Sequence, residues 1–345
     1  MQLPRRRFIL LIGMPIIILG AAIPFAAFRW MVPRDPLNAN MVQLGRWLAT
    51  YDVSDETLKV QQQLVDRIQS SLPALSKSTA SEHHLSTSQQ DRLLANAERL
   101  QQVWFEQRTR QGSALKGNPQ RVEFFRKQVA SLLEMAELAN RLVTKEGSRK
   151  DGDSMREFLA NVAQWQSDAS PNLRQAMKDT VRDGLLVYLA YFDVGDISLG
   201  SRRALAVRTA HSLDTPGRPN TPPVKFEGPA RKTLQRNAEL LMEGWFHTQA
   251  GDFDGKPTVE KTTFVIDLVA RVKAWDLPVL LSAGGSKEET DQTKILLRLN
   301  EQIDVWIERA EPVVKLKMQA LADAVRQQLV WDSLKGLVPF LGEQK

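Results

Sequence analysis

Residues 118–147 read NPQRVEFFRKQVASLLEMAELANRLVTKEG and carry the clearest periodic pattern in the chain. Their apolar residues alternate in steps of three and four: Val122, Phe125, Val129, Leu132, Ala136, Ala139 and Val143. This spacing puts the apolar side chains on one stripe of an α-helix and suits helices packed side by side at about 20°. Asn118 and Pro119 are typical of a helix start, and Gly147 of a helix end. The segment therefore predicts a long amphipathic helix.

Stretches on both sides of this segment have the same helical spacing. Three clear stripes are Leu93, Ala97, Leu100 and Trp104; Leu234, Ala238, Leu241 and Trp245; and Leu299, Ile303, Trp306 and Ala310. Because steps of three and four recur in nearly every segment, the sequence predicts an all-α fold without a sheet of consequence. Pro312 interrupts the last pattern, which predicts a kink or break there. No internal sequence repeat is predicted.

The N-terminal stretch 8–28 reads FILLIGMPIIILGAAIPFAAF and contains no charged residue. A helix rises about 1.5 Å per residue and the hydrocarbon core of a bilayer is about 30 Å thick, so this stretch can cross a membrane once. We therefore expect a single transmembrane anchor at residues 8–31, preceded by a short basic tail at residues 1–7.

Two other interpretations of this stretch stay open. Gly20, Ala21 and Ala22 form a small-residue site at which a signal peptide could be cleaved. The run from Arg5 to Ile9, RRRFI, resembles the core of a twin-arginine export signal. We favour an uncleaved anchor because the apolar run continues well past Ala22.

The charges around the stretch predict its orientation. Arg5, Arg6 and Arg7 precede it, and only Arg29 and Arg34 follow closely. Positive residues favour the cytoplasmic side. The sequence thus predicts a cytoplasmic N-terminus and an extracytoplasmic bulk, which would be periplasmic in a bacterium.

A proline-rich segment suggests how the rest of the chain is organised. Residues 214–229 contain five prolines, which cannot continue a helix and favour extended backbone. We therefore expect one helical lobe at 32–213, a linker at 214–229 and a second helical lobe at 230–345.

Composition excludes several classes of protein. The net charge is +6, but residues 1–34 hold five arginines and no acidic residue, so the remainder carries only +1. A general nucleic-acid-binding surface is therefore not predicted. The chain has no cysteine, which excludes disulfides, cysteine-ligated zinc and thiol catalysis.

No candidate catalytic, cofactor-binding or metal-binding residue emerges. The run Gly251–Gly255 suggests a calcium loop, but its register puts Ala250 and Lys261 where oxygen ligands are needed. The four histidines lack metal-ligand spacing: His83, His84, His211 and His247. A polar turn and ordinary hydrogen-bonded histidines are the simpler interpretation.

One stretch has an uneven charge. Residues 202–236 contain eight basic residues and only two acidic ones, Asp214 and Glu227. The basic residues are Arg202, Arg203, Arg208, Arg218, Lys225, Arg231, Lys232 and Arg236. This set, the basic cluster, is a candidate docking site for an acidic protein or anionic lipid heads, and the alternative is a solvated loop.

Taken together, these patterns predict a membrane-anchored, non-enzymatic scaffold or adaptor subunit of a cell-envelope complex, without a cofactor. Its expected partners are the membrane and other protein subunits, and nucleic acid is not among them. Two other functions stay open: a ligand-binding sensory module, and an enzyme whose site assembles from distant residues.

Overall fold

The computed structural model describes five ranges of the chain: 35–75, 86–143, 151–213, 223–275 and 292–337. Within them every regular element is helical, so the predicted all-α fold is confirmed for that part of the chain. None of these helices is long and apolar enough to cross a membrane. The predicted anchor at 8–31 and the basic tail lie outside the described residues.

The described ranges contain eleven α-helices and one short 3₁₀ turn at Val53–Asp55. The first six helices are α1 Met41–Thr50, α2 Leu58–Leu75, α3 Thr87–Ala114, α4 Asn118–Val143, α5 Asp151–Asp168 and α6 Pro171–Tyr191. The other five are α7 Leu199–Leu213, α8 Gly228–Asp254, α9 Thr258–Ala274, α10 Gln292–Arg309 and α11 Pro312–Leu337.

Local sequence explains where several helices begin. Asn40 before α1 forms a reciprocal capping box with Gln43, and Ser86 does the same with Gln89 before α3. Pro312 is the first residue of α11, just after α10 ends, so the break predicted at this proline is confirmed. In α4, the seam residues Phe125, Val129 and Leu132 are buried, as their spacing predicts.

The chain forms two compact units that divide inside α6, between Gly184 and Leu185. We call the described residues before this point the first module and those after it the second module. The sequence suggested a boundary at 214–229, but that segment joins α7 to α8, and these two helices pack against each other within the second module. A continuous helix, α6, runs through this division, so the sequence carries no sign of a linker there.

Each module is built around one long helix. In the first module α3 packs against α1 and α2, and α4 packs against α5. In the second module α8 packs against α7 and α11, while α9 and α10 also contact α11. Both central helices bury a tryptophan followed by a phenylalanine: Trp104 and Phe105 in α3, and Trp245 and Phe246 in α8.

The two modules are copies of one sequence pattern, so the expectation of no internal repeat is wrong. Residues 44–105 align without a gap with residues 185–246, each position being 141 higher. Identical pairs begin in the first module at Leu44, Leu48, Ala49, Asp52, Val53, Asp55, Leu58, Leu64, Arg67, Ser71, Leu72, Leu93, Asn96, Ala97, Glu98, Leu100, Trp104 and Phe105.

The same offset returns near the end of each copy. Helix α5 at Asp151–Asp168 corresponds to α10 at Gln292–Arg309, residue for residue, and the first residue of α6 corresponds to that of α11. Four residues in this region are identical in both copies; in the first they are Trp165, Ala169, Pro171 and Met177. The middle differs, because α4 is longer than α9.

Helix α6 contributes to both copies. Its first part corresponds to the start of α11, the last helix of the second copy, and its final residues correspond to α1, the first helix of the first copy. The last helix of one copy is thus continuous with the first helix of the next.

Candidate functional site

The first module contains a buried asparagine that ties a helix end to the following loop. Asn96 on α3 donates from Nδ2 to the carbonyl oxygens of Leu48 and Tyr51, both at 2.6 Å. Its Oδ1 accepts a hydrogen bond from the Val53 amide at 2.8 Å. The last carbonyls of a helix have no partner within the helix, so Asn96 satisfies the end of α1 and fixes the next turn.

The second module repeats this arrangement at Asn237 on α8. Nδ2 donates to the carbonyl oxygens of Leu189 and Phe192 at 2.8 and 2.6 Å. Oδ1 accepts from the Val194 amide at 3.4 Å. Each of these residues is 141 positions after its counterpart, so the duplication includes the hydrogen bonds as well as the helices.

The loop beside each asparagine begins with an aspartate. Asp52 accepts hydrogen bonds from the amide and hydroxyl of Ser54 and pairs with Arg92. The Ser54 hydrogen bonds, helped by Arg92, lower the pKa of the Asp52 carboxyl. Asp193 accepts from the Gly195 amide at 2.7 Å and pairs with Arg236 at 2.5 Å. These carboxylates hold their own loops, which is a structural role.

An aromatic cluster fills the centre of the first module. The ring of Phe158 on α5 lies 6.1 Å from Trp104, 5.5 Å from Phe105 and 6.5 Å from Trp165, with interplanar angles between 70° and 81°. Aromatic pairs favour such edge-to-face geometry at these centroid distances. Phe158 is therefore the residue around which this cluster packs.

The second module keeps the cluster but lacks its central ring. Phe246 and Trp306 lie 6.3 Å apart at 46°, close to the 6.0 Å and 39° of their counterparts Phe105 and Trp165. The counterpart of Phe158, however, is Leu299. A branched aliphatic side chain replaces a ring in an otherwise matching set of aromatic residues.

A cavity of about 70 Å³ lies beside Leu299. Helices α8, α9, α10 and α11 all line it, and its walls include Trp245, Phe246, Val272, Trp306 and Val325. The lining is apolar apart from Lys273 and Asn300. Among the described residues of the second module, this cavity is a candidate site for a small molecule.

Arg202, Arg203 and Arg236 of the basic cluster make contacts within the second module. The Arg202 guanidinium donates to the carbonyl oxygens of Gly195 and Ile197. Arg203 donates to the imidazole of His247 across 2.8 Å, and Arg236 pairs with Asp193 as described above. Part of the local positive charge therefore serves the loop before α7 and the α7–α8 contact.

The other members of the basic cluster are placed differently. Arg208 on α7, and Lys225 and Lys232 near the start of α8, are exposed, while Arg231 is half-buried. Arg218 lies outside the described residues. The exposed members of the basic cluster thus include Arg208, Lys225, Lys232 and Arg236.

His247 lies next to Arg203 in the α7–α8 contact. Arginine has no acceptor, so the imidazole must accept this hydrogen bond with an unprotonated nitrogen. Burial, reinforced by the charge of Arg203, lowers the His247 pKa. The residue is a structural neighbour of the basic cluster and has no metal-ligand partner among the described residues.

The calcium-like run Gly251–Gly255 forms the end of α8 and the turn after it. Asp254 pairs there with Lys317 at 2.8 Å, and the hydrogen bond from Lys317 lowers the Asp254 pKa. No group of histidines and carboxylates in the described ranges has the arrangement of a metal site.

The first module contains a buried ion pair that the sequence did not reveal. Arg121 on α4 donates to Asp183 on α6, and both side chains are almost fully buried, at 8% and 2% exposure. Burial raises the Asp183 pKa, against the opposing charges of Arg182 and Arg121. The counterpart of Asp183 in the second module is Ala324, so this pair is specific to the first module.

Comparison with known proteins found no matching family model, no matching curated protein and no matching solved structure.

Proposed function

We propose that this protein is a membrane-anchored scaffold or adaptor subunit of an envelope complex, with two related helical modules that bind partner proteins. The observation that carries the proposal is the duplication. Repeated helical modules commonly supply extended binding surfaces, since each copy keeps its framework while its exposed residues diverge.

The identical positions belong largely to the framework. Among the pairs that match across modules, Leu48, Val53, Leu93 and Asn96 are buried in the first copy and so are their counterparts in the second. Core residues of this kind preserve packing and carry no direct information on a ligand.

The basic cluster belongs almost wholly to the second copy. At its eight positions the first copy has Gln61, Gln62, Arg67, Lys77, His84, Gln90, Asp91 and Ala95. Six of these eight basic residues therefore correspond to an uncharged or acidic residue in the first copy. The two modules present different charges, which favours different partners for each, and an acidic protein surface is the complement of the second.

The anchor at residues 8–31 would hold both modules beside the membrane, on the extracytoplasmic side. Its apolar length and the arginines before it support this placement. A tethered module needs only modest affinity for a neighbouring subunit, because tethering raises the effective concentration of the two proteins.

Isolation of the full-length protein from its native membranes tests the proposal. After mild cross-linking and solubilisation, we expect one or more partner proteins in a fixed ratio to this chain. Recovery of the chain alone, or a partner ratio that changes with each preparation, would contradict an adaptor role.

A further inference from the structure

The duplication allows the cavity in the second module to be compared with the equivalent position in the first. Phe158 and Leu299 are equivalent residues on equivalent helices, α5 and α10. In the first module the Phe158 ring contacts the rings of Trp104, Phe105 and Trp165. In the second module Leu299 lines a cavity together with the counterparts of all three, Trp245, Phe246 and Trp306.

The chemistry of the lining selects an uncharged, apolar occupant. Its polar side chains already have partners within the module: Lys273 pairs with Asp332 at 2.7 Å, and Asn300 accepts from the Arg326 guanidinium at 2.9 Å. The rest of the lining is aromatic and aliphatic, which favours an apolar ligand.

The size of the space selects a small occupant. A volume of about 70 Å³ is roughly half that of the engineered apolar cavity of 150 Å³ that stays dry and binds benzene or xenon. The cavity is not closed on all sides, so a single ring has a path into it and some room at its edge.

We propose that the second module binds a small, uncharged aromatic molecule whose single ring occupies the position that Phe158 fills in the first module. The ring would complete the edge-to-face set with Trp245, Phe246 and Trp306. This binding site goes beyond the scaffold role and does not depend on it.

The test uses the full-length protein in detergent, with fluorobenzene as the probe, and detects bound probe by ¹⁹F NMR. Binding to wild type is compared with Leu299→Phe, which restores the missing ring, and with Leu299→Met, which fills the space with a flexible side chain. Because all proteins are in the same detergent, partition of the probe into micelles is the same for each.

We expect saturable binding of fluorobenzene to wild type. The affinity of Leu299→Phe for fluorobenzene should be at least about tenfold lower, and that of Leu299→Met should lie between the two. Fluorobenzene should raise the Tm of wild type by about 2–4 °C and leave that of Leu299→Phe unchanged. If Leu299→Phe does not fold, weaker binding by Leu299→Met than by wild type supports the proposal, and equal binding by the two overturns it.

A matched variant in the first module should have the opposite effect on fluorobenzene binding. Phe158→Leu removes the ring that occupies the equivalent space, and we expect it to add a second site for fluorobenzene. Equal binding by wild type and both Leu299 variants, or no saturable binding to wild type, would overturn the proposal.

Discussion

Asn96 and Asn237 are 141 positions apart, and each makes the same three hydrogen bonds to the end of one helix and the start of the next loop. Both are essentially inaccessible, at 1% and 0% exposure. A buried amide with all three contacts satisfied fixes the local chain path, since a change in that path would leave polar groups without partners.

Replacing this amide by a carboxylate should destabilise the module. Asn96→Asp keeps the shape of the side chain but removes both donors, so the Leu48 and Tyr51 carbonyl oxygens lose their partners. We expect a loss of about 2–5 kcal/mol in unfolding free energy, measured by urea denaturation.

Asn237→Asp should have a comparable effect on the second module, whereas Asn172→Asp, at an exposed position of α6, should change the unfolding free energy by no more than about 0.5 kcal/mol. Equal stability of the three variants would show that the asparagine hydrogen bonds do not stabilise the module to which each belongs.

The buried pair of Arg121 and Asp183 should behave as a coupled unit. Asp183→Leu leaves the Arg121 guanidinium buried without its carboxylate and should cost about 3–5 kcal/mol. Arg121→Met should cost less, because Arg182 still pairs with Asp183. The double variant should lose much less than the sum of the two, as judged from a double-mutant cycle in urea. Strict additivity would mean that the two charges do not stabilise each other.

The second module should become less stable in mild acid because of His247. Burial and Arg203 lower its pKa in the folded state, so below about pH 6.5 the unfolded chain binds the proton more readily than the folded chain. The stability due to this residue is present above that pH and lost as pH falls through the folded pKa.

Thermal unfolding followed between pH 7.5 and pH 5 provides the measurement. His247→Gln keeps an acceptor for Arg203 but cannot take up a proton in this range, so its Tm should fall less with acidification than that of wild type. An identical pH dependence of the Tm in both proteins would show that His247 does not cause the loss of stability in acid.

Topology can be checked independently of the modules. The arginines before residue 8 predict that Lys345 lies outside the cytoplasm. The apolar run that continues past Ala22 predicts that residues 1–28 are retained. A reporter fused after Lys345 should be active only in its extracytoplasmic form, and the intact mass of the membrane fraction should match the whole chain. A cytoplasmic C-terminus, or a mature chain that begins near Ile23, would contradict the anchor.

Helical periodicity alone predicted much of the fold. The steps of three and four in α4 identified its buried face, and Pro312 identified the break before α11. These features are local, because a helix face and a proline break depend on neighbouring residues along the chain.

The duplication was also present in the sequence but was harder to see. The stripes that begin at Leu93 and Leu234 are related by the constant offset of 141, yet identical residues are scattered among many that differ. Comparing the order and spacing of Asn96, Trp104 and Trp165 with a second set would have revealed it, since these residues are less common than leucine or alanine.

The candidate site could not be predicted from the sequence. The cavity is lined by side chains from four helices, among them Leu299, and only the fold brings these residues together. The sequence likewise does not show that Arg202 and Arg203 donate hydrogen bonds within the module. Nor does it show that Lys225 and Lys232 are exposed.

The most direct measurement of the scaffold proposal is partner recovery from native membranes by a charge-reversed protein. Arg208→Glu, Lys225→Glu and Lys232→Glu are combined in the second module, and Lys59→Glu, Arg110→Glu and Lys127→Glu, at exposed positions of the first, serve as the matched control. Both proteins should fold, because changes at exposed charges have little effect on stability.

We expect the second-module variant to recover several-fold less partner than wild type, and the first-module control to recover as much as wild type. Recovery by wild type should also fall as salt rises, since attraction between exposed charges is screened over about 8 Å at physiological ionic strength. Undiminished recovery by the second-module variant at both low and high salt would contradict docking through the basic cluster, and the absence of any stoichiometric partner with wild type would contradict the scaffold itself.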